Sequence, residues 1–156
     1  PEYSNLFLLK KNILLNKLNN KITTYPLSLS NNNGVNFLHL SSIESGAALH
    51  SISKLEINTT GEKAKVVSKV GTYSLTLDEF TNQTNIFPNM IKIDTDGTEL
   101  EILQGSLSTL QKVNYVAVEL PLDDKKKQKC VDLLNKNGFK QDTNLSMKRN
   151  LFFYKI

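Results

Sequence analysis

Tryptophan is absent from this 156-residue chain, cysteine occurs once, at Cys130, and arginine once, at Arg149. A single cysteine excludes an internal disulfide framework and a cysteine-based zinc site, and leaves no basis for a redox role. It fits a reducing compartment, so a cytoplasmic location is the expectation. With one arginine, the formal charge of +4 rests almost wholly on lysine. A specific nucleic-acid surface would use arginine forks and stacking aromatics, so this balance argues against a nucleic-acid partner. No apolar run approaches the ~20 residues of a membrane-spanning helix. There is no internal period, and the length suits one domain with one core.

The chain opens at Pro1, without an initiator Met, and runs almost at once into an amphipathic pattern. The expectation is a fragment whose upstream part, with any targeting signal, is missing. Leu6, Leu9, Ile13, Leu14 and Leu18 follow helical spacing and predict a helix from Ser4 to about Asn19 that buries one face. Ile22 to Leu29 reads as a strand, stopped by Ser30-Asn-Asn-Asn-Gly34. Val35 to Leu40 and Lys65 to Leu75 predict an antiparallel pair, with a small-residue loop from Ser41 to Ala48 and a polar connection between them. Leu77-Asp-Glu-Phe80 opens a short helix, and Pro88 prevents its continuation into the next strand.

The most informative stretch is Met90 to Gly105, where a short β-branched run meets a cluster of carboxylates and then a helical pattern. Ile91 and Ile93 predict a strand, Gly97 a turn, and Leu100, Leu103, Leu107 and Leu110 one helix ending near Gln111. Val113 to Leu120 is an apolar strand, and a helix carrying Val131, Leu133 and Leu134 begins behind Asp123 and Asp124 and stops at Gly138. Phe139 to Thr143 and Leu151 to Ile156 make a closing pair of strands about a polar loop. Strand and helix alternate, which predicts an α/β domain with a mainly parallel sheet and an antiparallel ending.

Asp94 then falls at the carboxyl end of a strand, where open α/β sheets bind ligands, with Asp96 and Glu99 beside it and Glu119 at the end of the next strand. Each has a plainer reading. Asp94 could bond only turn amides; Asp96 with Glu99, or Thr98 with Glu101, could be helix capping and no more; Glu119 could be a solvated strand end. If Thr98 and Glu101 cap the helix, Glu99 is released for function. His39 and His50 are isolated and read as structural or surface residues. The five tyrosines read as packing, and Lys125, Lys126, Lys127 and Lys129 as a solvated helix face.

Ile91-Lys-Ile-Asp-Thr-Asp-Gly-Thr-Glu-Leu-Glu-Ile-Leu-Gln-Gly105 resembles the signature of the FkbM-type S-adenosylmethionine-dependent methyltransferases. Thr76-Leu-Asp-Glu-Phe80, Tyr25-Pro-Leu-Ser28, Val118-Glu119 and Gly138-Phe139 resemble further segments of that family. The resemblance implies a Rossmann-like class I methyltransferase sheet of order 3-2-1-4-5-7-6. Residues 1–156 would form a partial domain carrying strands 3 to 7 but neither strands 1 and 2 nor the N-terminal Gly-rich cofactor motif. Strands 3 and 4 would then stand three spacings of ~4.8 Å apart, about 14 Å, with no strand between. Unpaired edges would make such a fragment aggregation-prone and inactive by itself.

By the same resemblance, the cofactor is S-adenosylmethionine and the acceptor an oxygen of a small molecule, sugar or glycan. Asp94, Asp96 and Glu99 are the implied catalytic carboxylates. Leu27, Ser28 and Asp94 would contact cofactor; Ser45, Gly46 and Glu119 would lie near substrate. Two other readings stay open. Asp94-Thr-Asp96 matches the Asp-x-Asp pattern with which nucleotide-sugar glycosyltransferases hold a divalent metal. A non-catalytic binding module is the second.

Overall fold

The computed structural model describes residues 2–42, 51–52 and 66–156, with the backbone alone at 51 and 52. The chain divides into two compact units: residues 1–28 with 35–73, and residues 29–34 with 74–156.

The first unit begins with helix α1 (Tyr3–Leu15). No Gly or Pro interrupts it, and Glu2 caps it by accepting from the Ser4 and Asn5 amides at 2.8 and 2.7 Å. It ends at Asn16, followed by Lys17 in the left-handed region (φ 56°). The expected buried face is small: Ile13 is its one buried residue, and Leu14 and Leu15 are 65% and 70% exposed. Strand β1 (Ser28–Leu29) is also shorter than the predicted Ile22–Leu29. Pro26 has no amide to donate to a ladder, and Ile22 and Tyr25 remain exposed.

Strands β2 (Gly34–Leu40), β3 (Ser51–Ile52) and β4 (Ser68–Leu75) join β1 in a sheet of order β1-β4-β2-β3. The two strands predicted to pair are thus neighbours, and β2 runs antiparallel to β3 through Leu38↔Ile52. Alternation sets the buried side as far as Leu38, with Asn36 and Leu38 inside and Val35 and Phe37 outside; His39 and Leu40 are then both buried. Tyr73 on β4 is 53% exposed and Tyr115 57%, so these tyrosines do not serve as packing.

The second unit holds helix α2 (Leu77–Thr84), strand β5 (Met90–Ile93), helices α3 (Glu99–Gln104) and α4 (Leu107–Leu110), strand β6 (Tyr115–Glu119), helix α5 (Asp124–Lys136) and strands β7 (Phe139–Met147) and β8 (Asn150–Lys155). One helix was expected where α3 and α4 stand. The break falls at Gly105–Ser106, where the Ser106 hydroxyl bonds back to the Ile102 carbonyl and competes with the ladder. Gly105 has an ordinary φ of −83°, yet a Cβ there would lie 2.1 Å from the Ser30 carbonyl oxygen. Glycine is required by that close approach, not by backbone strain.

Helix starts and stops follow the sequence more closely elsewhere. Thr76 caps α2 by accepting from the Glu79 amide at 3.0 Å, and Asp123 caps α5 by accepting from the Lys126 amide at 2.7 Å. Gly138, with φ 79°, follows α5 as a C′ glycine. The Asp78 carboxylate, in the first turn of α2, accepts from the Ser108 amide at 2.9 Å and from the Thr109 amide and hydroxyl at 2.7 Å each. It therefore ties α2 to the start of α4.

The sheet order is β5-β6-β8-β7. β5 and β6 are parallel, while β8 is antiparallel to both β6 and β7. A mainly parallel sheet was expected; in this one a single pair is parallel and the antiparallel ending makes up the rest. The predicted polar loop before Leu151 is instead a tight turn, because β7 runs on to Met147 and pairs with Asn150 across Lys148 and Arg149. Ile91, Ile93, Val116, Val118 and Phe153 face one way and pack with Leu103, Leu110, Cys130 and Leu134 from the helices and with Leu120 just after β6. Fully burying each such side chain stabilises the fold by roughly 1.5–3 kcal/mol, so this core carries the unit.

Candidate functional site

The carboxyl ends of β5 and β6 bring two of the predicted residues together. Ile93 pairs with Val118, so the residues that follow them directly, Asp94 and Glu119, emerge side by side from parallel strands. Asp94 accepts a hydrogen bond from Lys92 Nζ at 2.6 Å. Lys92 stands two residues earlier, on the same face of β5, as the period of a strand requires. That ammonium, and then the Glu119 carboxyl, hold the Asp94 carboxyl below its usual range. Asp94 and Lys92 are both well exposed, so the pair meets solvent. Asp94 is accordingly a charged carboxylate at neutral pH, placed to accept a hydrogen bond or a proton.

Glu119 has a second partner that sequence reasoning missed. Arg149 Nη2 donates to Glu119 Oε1 at 2.6 Å, and Arg149 Nη1 donates to the Leu120 carbonyl at 3.2 Å. Four charged groups thus stand in a row: Lys92, Asp94, Glu119 and Arg149. The one available signal was that Arg149 is the sole arginine in a lysine-rich chain.

The turn after Asp94 is organised from inside. Glu99 is 1% exposed, and its Oε1 accepts from the Thr95 hydroxyl at 2.8 Å and the Gly97 amide at 3.0 Å. Its other oxygen, Oε2, is buried without a hydrogen-bond partner. Thr98, expected to cap α3, makes no cap bond; its hydroxyl donates to Thr95 Oγ1 at 3.2 Å. Of the two capping pairs that the sequence pattern offered, it is Glu99 that holds the turn, because a carboxylate directed back over the turn reaches two donors at once. Gly97 itself adopts φ 100°, which a side chain would resist.

The other side of Gly97 is held by α5. Lys126 Nζ donates to the Gly97 carbonyl at 3.2 Å and to Glu101 Oε1 at 3.3 Å. Lys125, Lys127 and Lys129 are exposed as predicted, but Lys126 is half-buried and leaves that solvated face. Asp96 is exposed in the turn. Cys130, fully buried on α5, has its thiol pushed up to about 12 by burial and by the nearby Glu99 and Glu101 carboxylates.

Leu27 and Ser28 belong to the other unit: Leu27 is half-buried, and the buried Ser28 hydroxyl donates to the Tyr73 carbonyl at 3.4 Å. Ser45, Gly46 and His50 lie outside the described residues. Among the described residues no group of three His, Cys, Asp or Glu side chains could hold a metal ion, so Asp94 and Asp96 do not complete a donor set there. No helix among them is long and apolar enough to cross a membrane. A cavity of about 450 Å³ opens at the other end of the sheet, lined by Met90, Tyr115, Leu145, Phe152 and Tyr154 among others; it includes none of the four charged residues.

A family model described as the methyltransferase FkbM domain matches residues 1–140. A hexuronic acid methyltransferase, AglP, of Haloferax volcanii is 52% identical to the chain over 33 residues, which are 21% of this chain and 14% of that protein. The chain therefore aligns with only a small part of that relative's length. No solved structure matches.

Proposed function

The chain belongs to the FkbM methyltransferase domain family, and from that premise we propose that it moves a methyl group from S-adenosylmethionine to an oxygen of a small molecule, sugar or glycan. The observation that carries this reading is the placement of Asp94 and Glu119 at the carboxyl ends of neighbouring parallel strands, where α/β sheets hold ligands. The sheet order β5-β6-β8-β7, with β8 reversed, supports it too, being the order expected if these are strands 4, 5, 7 and 6 of such a sheet.

The residues present suit such a cofactor. Its sulfonium is positive, and the exposed carboxylates of Asp94 and Asp96 make the turn acidic. When bound, it supplies an electrophilic methyl group. Asp94 holds the acceptor hydroxyl by accepting its hydrogen bond and takes up its proton. Lys92 keeps that carboxylate charged, and so makes it a better anchor than base; positioning then carries much of the rate. Glu119 orients the acceptor from the next strand, and Glu99 fixes the turn that presents Asp94 and Asp96.

Labelled S-adenosylmethionine, incubated with the full-length protein and a panel of sugars, glycans and small alcohols, tests this directly. Transfer that falls at least ~100-fold in Asp94→Asn, with unchanged folding, is the expected result. Wild-type transfer in Asp94→Asn would remove Asp94 from the reaction; absence of cofactor binding by the full-length protein would remove the whole reading. The relative's hexuronic acid makes uronic sugars the first acceptors to try.

A further inference from the structure

Arg149 occupies the second position of a two-residue hairpin turn, between Met147 and Asn150. The first position, Lys148, has φ 54°, a conformation that such turns normally give to glycine, asparagine or aspartate. A lysine persists there when the surroundings over-determine the turn. They do so through Arg149: its carbonyl accepts from the Leu120 amide at 2.8 Å, its Nη1 donates to the Leu120 carbonyl, and its Nη2 donates to Glu119. The guanidinium thus spans a backbone oxygen and a carboxylate at once, which a lysine ammonium on a flexible stem does not reproduce. Residue 149 also lies beyond the stretch 1–140 that matches the family, so nothing in that match assigns it a part.

We propose that Arg149 is a positioning residue: by gripping Glu119 and the Leu120 carbonyl together, it holds the Glu119 carboxyl in the orientation that meets Asp94. Free of the fork, the Glu119 side chain has three rotatable bonds and solvent beside it, and it turns away from β5. The charged groups that face Asp94 are then Lys92 on its own strand, Glu119 on β6 and Arg149 on the β7–β8 turn. The significance for methyl transfer rests on the reading of Asp94 above; the positioning itself does not.

The test follows the Asp94 side-chain carboxyl by carbon NMR through an acid titration of the full chain. The variants are Arg149→Gln, Arg149→Lys, Glu119→Ala and the double variant Arg149→Gln/Glu119→Ala. Arg149→Gln and Glu119→Ala each raise the Asp94 midpoint, Arg149→Lys raises it less than Arg149→Gln, and Arg149→Gln adds less once Glu119 is alanine, the remainder being the field of the guanidinium itself. An unchanged midpoint in Arg149→Gln overturns the proposal. So does an equal rise with and without Glu119, because Arg149 would then act through its field alone. Should Arg149→Gln unfold, Arg149→Lys decides: it keeps the charge and loses the fork, so an unmoved midpoint overturns the proposal. None of these measurements involves methyl transfer. Full activity in Asp94→Asn would therefore sink the catalytic reading and leave the grip of Arg149 standing.

Discussion

Asp94 and Glu119 are held together from opposite sides, Asp94 by Lys92 at 2.6 Å along its own strand and Glu119 by Arg149 at 2.6 Å from the β7–β8 turn. The Lys92 ammonium and the hydrogen bond with the Glu119 carboxyl both favour the charged form of Asp94. The pair belongs to one tertiary contact between adjacent strand ends, with residues from three parts of the chain.

Replacing Lys92 with Met therefore raises the Asp94 midpoint toward the ordinary 3.8. Because the folded-state value lies below the unfolded one, the associated stability is present above 3.8 and is lost as the pH falls through the lowered value. Both partners are exposed, so the variant costs at most about 0.5 kcal/mol at neutral pH. Unfolding curves at neutral and strongly acid pH, differing only at the former, check this.

Asp78→Ala removes three hydrogen bonds, two of them from the α4 backbone, and leaves the buried Thr109 hydroxyl with Thr81 alone. The expected loss is about 2–4 kcal/mol, read as a lowered midpoint of denaturant unfolding. Asp78→Asn keeps one acceptor oxygen and loses less.

Gly105→Ala must push Ser30 aside, since the new methyl would sit far inside contact distance of its carbonyl oxygen. We expect a loss of about 3 kcal/mol despite the better helix propensity of alanine. Gly71→Ala, on β4 with nothing within 4 Å of the added carbon, is the control and changes stability by less than about 0.5 kcal/mol.

Glu99→Gln keeps the oxygen that accepts from Thr95 and Gly97, and relieves a buried carboxylate that has one unbonded oxygen. It folds with stability within about 1 kcal/mol of the parent, whereas Glu99→Ala loses about 2–3 kcal/mol. Methyl transfer retained in Glu99→Gln identifies Glu99 as a turn-holding residue; transfer abolished in a folded Glu99→Gln returns it to the chemistry.

With its thiol pushed up to about 12, Cys130 is almost wholly protonated at pH 8 and is enclosed by the core. Iodoacetamide labels it only as fast as the fold opens. A labelling rate that rises with denaturant in step with unfolding is the expected outcome; rapid labelling of the native protein would contradict the burial.

The strand, turn and helix around Asp94 were legible because each is fixed locally: β-branched Ile91 and Ile93, the left-handed Gly97, and leucines at helical spacing. The limits of α5 were legible for the same reason, through Asp123 and Gly138. What escaped was decided by distant chain. The need for Gly105 depends on Ser30, and the place of Arg149 depends on Glu119, 30 residues away. The span Ile22–Leu29 failed differently, since β-branched and aromatic residues favour a strand but Pro26 cannot serve a ladder. The hold of Glu99 on the turn was not legible because the capping pattern names two candidate carboxylates, and only the geometry of the turn selects between them.

Strand β8 follows β7 in the chain yet lies between β7 and β6 in the sheet. During synthesis, β5 and β6 can pair as soon as both have emerged, but their sheet cannot grow further until Asn150–Lys155 is available to slide in. Until then the outer edge of β6 offers open amides and carbonyls to any passing strand, and a nascent chain stalled before residue 150 is a natural client for chaperones.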